Sequence, residues 1–230
     1  VIDDKRRQLD AIIRHCLGLE VHTTAPIAEA VPGETVALKL SVSTRAGVPV
    51  KWIGVRSANG PTVTNLALEP GKPAARDYNF TVPSNTPVTH PYWLREEPSS
   101  GMATVSDPTL IGLPDNPPAL PIEYSFEIGG QTLVVSDEPV FIEPAGVKGP
   151  ARRRMDVIPP VSLKFGSNVG VFTPGGTRPV TVEVNAARAN TSGTVELELT
   201  DGWLAMPATQ RFRLAGVGEK TQLTFNVTAP

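Results

Sequence analysis

Apolar residues recur along this chain at two different periods. At the start they fall at Leu9, Ile12, Ile13, Cys16 and Leu17, which makes one stripe of a helix. Asp3 or Asp4 suits the first turn of that helix, and Gly18 suits a left-handed end. From Leu19 onward the period becomes two. Val36, Leu38, Leu40 and Val42 alternate with Ala37, Lys39, Ser41 and Ser43, the pattern of a half-buried strand. Strands are also predicted over 19–23, 50–55, 64–68, 77–82, 122–128, 132–135 and 139–142, with Gly129-Gly130 as a tight hairpin. Residues 83–121 break the pattern: they are rich in Pro, Ser, Asn and Asp, and predict long excursions over one end of a sheet structure.

A second set of strands is predicted over 161–165, 180–185, 194–199, 210–214 and 221–227. The two halves echo each other. Pro32-Gly33-Glu34-Thr35-Val36 has a counterpart in Pro174-Gly175-Gly176-Thr177-Arg178, each a turn feeding an alternating strand. Tyr78-Asn79-Phe80-Thr81-Val82-Pro83 has one in Thr224-Phe225-Asn226-Val227-Thr228-Ala229-Pro230. The expected fold is all-β: two tandem immunoglobulin-like β-sandwich domains with one short N-terminal helix. Residues 1–18 form a helical linker, 19–150 a first sandwich with long loops, and 151–230 a second sandwich.

Composition supports this reading. The chain has 230 residues, enough for two domains of about 100 residues each. Its 24 Pro and 20 Gly are spread along the whole length, which favours many turns over long helices. Charged residues make up 19% and the formal net charge is -2, without the basic face that nucleic acid requires. The one basic run, Arg152-Arg153-Arg154 near Lys148, reads as a solvated strand start or interdomain link. No apolar run reaches the roughly 18 residues of a membrane span. Val1, rather than Met, opens the chain, which reads as a boundary inside a longer polypeptide.

The residues that could carry chemistry are few. His15, His22 and His90 do not stand at metal-ligand spacing, and no His-Glu-x-x-His occurs. Cys16 is the sole cysteine, so an internal disulfide and a thiolate cluster are both excluded. Its place on the helical stripe reads as a small core residue. There is no nucleophile elbow and no phosphate-binding Gly loop. Asp107, Asp115, Asp137 and Glu138 are scattered and do not form a calcium loop. One local group stands out: Thr89-His90-Pro91-Tyr92-Trp93-Leu94, in which two aromatics follow a stiff Pro. Exposed, such aromatics stack on sugar rings or anchor a partner; folded inward, they plug the end of a sandwich. His90, Tyr92 and Trp93 are therefore the candidate ligand-binding residues. Trp203, after Asp201-Gly202, reads as a core or rim residue.

These motifs together resemble a known arrangement. Leu17-Gly18-Leu19, Val31-Pro32-Gly33-Glu34, Val82-Pro83 and His90-Pro91-Tyr92-Trp93-Leu94 resemble the region after the catalytic domain in large bacterial PIG-L/LmbE-like deacetylases. Thr194-Val195-Glu196-Leu197, Asp201-Gly202-Trp203 and the closing Phe225–Pro230 segment resemble a NEW3-type immunoglobulin-like domain. The resemblance implies a parent enzyme that uses zinc to remove N-acetyl groups from sugars. That family holds zinc with an Ala-His-Pro-Asp-Asp motif, whereas His90-Pro91 continues as Tyr92-Trp93, so no catalytic residue carries over. The implied chain is a non-catalytic, extracytoplasmic accessory region. It holds no cofactor of its own and docks on an N-terminal catalytic domain that contains the zinc. The alternative is a carbohydrate-binding module with glycan on Tyr92 and Trp93.

Overall fold

The structure is a computed structural model that describes residues 2–144 and 151–230. The chain divides into two compact units, Val1–Val157 and Ile158–Pro230. Within both, strands dominate and several sheets form, with one α-helix among the described residues.

That helix, α1 (Ile2–Cys16), ends as its sequence predicts. Gly18 takes a φ of 53°; its N–H reaches the His15 carbonyl, and the Leu19 N–H reaches that of Arg14. This is the double bond of a left-handed helix stop. The Leu17 carbonyl then accepts from the Arg45 and Ala46 amides and from the Thr44 hydroxyl. The helix is thus pinned at its last turn, and this changes the fate of the stripe. Ile13 and Leu17 pack on the core, but Leu9 and Ile12 stay 56% and 60% exposed. Cys16 is exposed as well, not the small core residue expected. Asp4 sits inside the first turn and pairs with Arg7 at 2.6 Å; the side chain of Asp3 lies outside the described residues.

The first unit continues with β1 (Glu20–Ala25), β2 (Glu29–Ala30), β3 (Thr35–Ser43), β4 (Val50–Ser57), β5 (Gly60–Leu68) and β6 (Ala74–Thr81). After a long connection come β7 (Ile122–Ile128), β8 (Gln131–Asp137), β9 (Pro139–Ile142), β10 (Arg152–Arg154) and β11 (Asp156–Val157). They build a sandwich-like pair of sheets ordered β10-β9-β1-β3-β6 and β5-β4-β7-β8, with β11 and β2 pairing separately. Alternation decides which residues enter the core. Val36, Leu38, Leu40 and Val42 are buried while their neighbours face out. They meet Trp52, Tyr124 and Phe126 from the other sheet in one cluster. Trp52 and Tyr124 stack with centroids 5.9 Å apart. The Tyr124 hydroxyl bonds to that of Thr23 at 2.7 Å. Burial pushes the Tyr124 phenol well above its ordinary value.

The two units contain the same joint, at the start of β3 in one and at the start of residues 177–186 in the other. Gly33 (φ 84°) donates to the Val82 carbonyl, and the Val82 N–H returns to Glu34. Gly175 (φ 68°) donates to the Pro230 carbonyl, and the Ala229 N–H returns to Gly176. In both places the Pro-Gly turn ties the start of one strand to the end of its antiparallel partner.

The basic run forms a strand, with Arg152 and Arg153 exposed, but as part of the first unit rather than as the start of the second. Arg152–Arg154 pairs antiparallel with β9, and Asp156–Val157 pairs with β2. The boundary between the units therefore falls after Val157, beyond the 150/151 division expected, because these short strands are hydrogen-bonded into the first unit. Lys148 lies outside the described residues.

The second unit contains β12 (Val161–Phe165), β13 (Thr177–Ala186), β14 (Thr191–Glu196), β15 (Leu204–Met206), β16 (Thr209–Leu214) and β17 (Lys220–Thr228). One sheet runs β12-β13-β17-β15; the other holds β14 and β16. Its core centres on Val184, Leu214 and Phe225. Trp203 packs at the rim of that core, edge-on to Phe172 with centroids 5.0 Å apart.

Candidate functional site

His90, Tyr92 and Trp93 lie in the connection between β6 and β7, which the sequence marked as irregular. The connection is held at several points. The Thr89 N–H donates to the Val157 carbonyl at 2.9 Å, and the Val157 N–H donates back to the Thr89 hydroxyl at 3.1 Å. That pair ties the loop to β11. A second tie to the backbone comes from Asn116. Its Nδ2 donates to the His90 carbonyl at 2.7 Å, and its Oδ1 accepts from the Tyr92 N–H at 2.9 Å. One amide thus brackets Pro91, which has no N–H of its own to offer.

Asn116 is itself fixed by a charge relay from the sheets. Arg154 sends Nε to Glu138 at 2.8 Å, and one terminal nitrogen to Asp115 at 2.8 Å and to the Asn116 carbonyl at 3.1 Å. Asp115 also accepts the Asn116 N–H at 2.7 Å. That backbone bond, followed by the Arg154 guanidinium, holds the Asp115 carboxyl below its usual range. A cleft of about 180 Å³ lies among these groups, lined by Thr89, Pro91, Asn116, Glu138 and Arg154. Its polar walls are occupied with each other, which suits a clamp better than a ligand pocket.

Tyr92–Leu94 then form one turn of 3-10 helix. Tyr92 and Trp93 stand edge to face, centroids 4.8 Å apart and planes at 88°. The Tyr92 hydroxyl donates to the Leu113 carbonyl at 3.1 Å. Trp93 is 39% exposed, and Leu94 more so. The pair is thus neither a buried plug nor a flat platform: Tyr92 braces the loop and Trp93 shows part of one ring to solvent. His90 is exposed and meets the loop through its backbone: its carbonyl accepts from Arg95 and Asn116, and its N–H donates to the Val88 carbonyl.

The other candidates are dispersed. His15 is on α1, with Nδ1 at 2.6 Å from the Ala11 carbonyl, and His22 is on β1 near Glu20. Asp107 accepts from the Thr109 N–H and hydroxyl, and Asp137 from the Thr23 N–H. Among the described residues, no three His, Cys, Asp or Glu side chains stand close enough to share a metal ion.

Sequence reading missed the clamp. Arg154 was one of three arginines in a row, and Asn116 one polar residue in a Pro-rich stretch. The pattern of Arg152 and Arg153 exposed with Arg154 half-buried could be found only from strand pairing.

No family model matches the chain, and no curated protein matches it. Among solved structures it is similar to a protein of unknown function from Porphyromonas gingivalis W83. The identity is 14%, over 91% of this chain and 83% of that one, with a TM-score of 0.24.

Proposed function

We propose that this chain is a non-catalytic accessory region of an extracytoplasmic, PIG-L/LmbE-like N-deacetylase, made of two immunoglobulin-like modules. Its role is to dock and brace the catalytic domain that acts on N-acetylated sugars. The observation that carries this reading is the split stripe of α1. Ile13 and Leu17 seat the helix on the first sandwich, while Leu9, one turn before Ile13, and Ile12, its immediate neighbour, stay largely exposed. An apolar helical face half covered by its own domain is suited to receive a neighbour. The zinc of such an enzyme does not fit the residues described here, since no ligand group comes together among them. It would belong to the catalytic domain, and no chemical step is assigned to this chain.

A second reading, glycan binding, is favoured by one observation: Trp93 offers part of an aromatic face on a braced loop. Against it, the 88° angle to Tyr92 leaves one ring where a two-ring platform would need both.

The test uses the full-length gene product. Deacetylation of N-acetylglucosamine oligosaccharides should depend on zinc and should fall when Leu9 and Ile12 are both changed to Glu. An active enzyme indifferent to those changes removes the docking role. A gene product with no N-deacetylase activity removes the parent enzyme. Glycan retention by residues 1–230 that disappears in Trp93→Ala would replace both with the second reading.

A further inference from the structure

In the second unit a four-stranded sheet turns one apolar face inward, and only two strands cover it. Gln210 of β16 donates its amide to the Thr224 carbonyl of β17 at 2.6 Å, so β16 lies over β17. Val195 of β14 and the following Leu197 enter the same cluster as Val182 and Val184 of β13, and only residues 187–190 join the two strands, which sets β14 over β13. Over β12 there is no strand among the described residues. Yet β12 points the same way: Leu163 is in register with Val184, and Phe165 with Val182. Cross-strand partners project from one face. The two valines are buried, whereas Leu163 is 57% and Phe165 54% exposed. An open cleft of about 460 Å³ lies at this end of the sheet, lined by Phe165, Val169, Phe172 and Val180.

Two backbone edges border the gap. Among the described residues β12 pairs only with β13, and β14 only with β16. Each therefore presents one row of N–H and C=O groups to water. Such a row beside uncovered apolar side chains is a template for another strand.

We propose that the occupant is a second copy of this chain: β12 of one copy adds to the free edge of β14 of the other, and the reverse. The strand β14 already holds shows what it accepts. In β16, Phe212 and Leu214 face in while Arg211 and Arg213 face out. β12 has the same alternation, with Val161, Leu163 and Phe165 on one face and Ser162 and Lys164 on the other. Charge agrees too. Glu196 and Glu198 follow the buried Val195 at outward, exposed positions, and the incoming Lys164 would stand on their side of the sheet.

The exchange is reciprocal, so one twofold axis satisfies both edges together. Each sheet then contains four strands of one copy and two of the other. The axis sets β12 over its own counterpart, and Leu163 and Phe165 of the two copies cover one another. The gap, the free edges and the bare side chains are closed by the same contact.

Sedimentation equilibrium of residues 1–230 over a concentration series is the test. A monomer–dimer equilibrium is expected. Lys164→Glu places like charges beside Glu196 at two symmetry-related sites and should raise the dissociation constant about tenfold. Glu196→Lys in the same chain should restore it. Both positions are exposed, so unchanged thermal melting of the monomer guards against misfolding as the cause. Leu163→Asp should abolish the dimer. A chain that stays monomeric overturns the proposal. So does a dimer that is indifferent to Leu163→Asp and to the charge swap.

Discussion

Arg154 and Asp115 meet at 2.8 Å across 39 positions of sequence, joining a strand at the sheet edge to the last part of the longest connection. Through Asn116, this contact reaches the backbone on both sides of Pro91. The aromatic loop is therefore braced from the sheet and not only by its own turns.

Replacing Arg154 with Ala should loosen the loop more than it destabilises the protein. The pair is partly exposed, so screening limits its worth to about 1 kcal/mol in urea unfolding. The Tyr92 amide, held by Asn116, should exchange with deuterium faster. The Leu38 and Phe126 amides, in core strands, should not. Uniformly faster exchange would show that Arg154 supports the whole unit instead.

Acid should release the same clamp. The folded-state pKa of Asp115 is depressed below the ordinary aspartate value of 3.8, first by the Asn116 N–H and then by Arg154. A depressed carboxyl contributes stability above its unfolded pKa and loses it as pH falls through the folded one. The contribution is thus complete near neutrality and disappears only below 3.8. In Arg154→Ala the Asp115 midpoint, followed by carbon NMR of the carboxyl, should move up towards 3.8 without reaching it, because the Asn116 bond remains. A midpoint unmoved by the substitution would contradict the relay.

Trp93→Ala should cost about 1 kcal/mol, well short of the 3–5 typical of a buried aromatic, because much of the ring already meets water. Tyr92→Ala should cost more, since it removes both the edge-to-face partner and the bond to Leu113. Chemical denaturation of the two variants gives the order, and the reverse order would place Trp93 in the brace.

Gly54→Ala should be among the most damaging single changes. The pairing register of β4 shifts between Trp52 and Gly54, and a β-carbon at Gly54 would come within 2.1 Å of the Thr62 carbonyl oxygen. That atom belongs to a paired strand and cannot swing aside. A loss of about 3 kcal/mol or more is expected, with Gly47→Ala, which meets nothing within 4 Å, as the neutral comparison.

The strands were legible wherever a single physical rule governed them. The alternation from Val36 to Val42 gave β3 almost to the residue, and Gly129-Gly130 gave the β7–β8 hairpin, with φ of 56° and 79°. The short strands β2, β11 and β15 went unseen, and β10 was read only as a strand start or link, because two or three residues hold no period and their pairing is decided by distant partners. The helical stripe was found, but its burial was not. Periodicity says which residues share a face, and only the anchoring of Leu17 says how much of that face touches anything. At the candidate site the aromatics were visible as a local motif. The Arg154–Asp115–Asn116 brace was not, since its members lie far apart in sequence and none is unusual alone.

The placement of Trp52, Trp93 and Trp203 has an optical consequence. Trp52 is fully enclosed, its indole N–H bonded to the Gly54 carbonyl and its ring stacked on Tyr124, so its emission should be blue-shifted and closed to iodide. Trp93, on the braced loop, should emit further to the red and be quenched readily. Trp203, edge-on to Phe172, belongs to the other unit. Single-tryptophan variants would thus turn one chain into three separate fluorescence reporters: for the first core, for the loop, and for the second core.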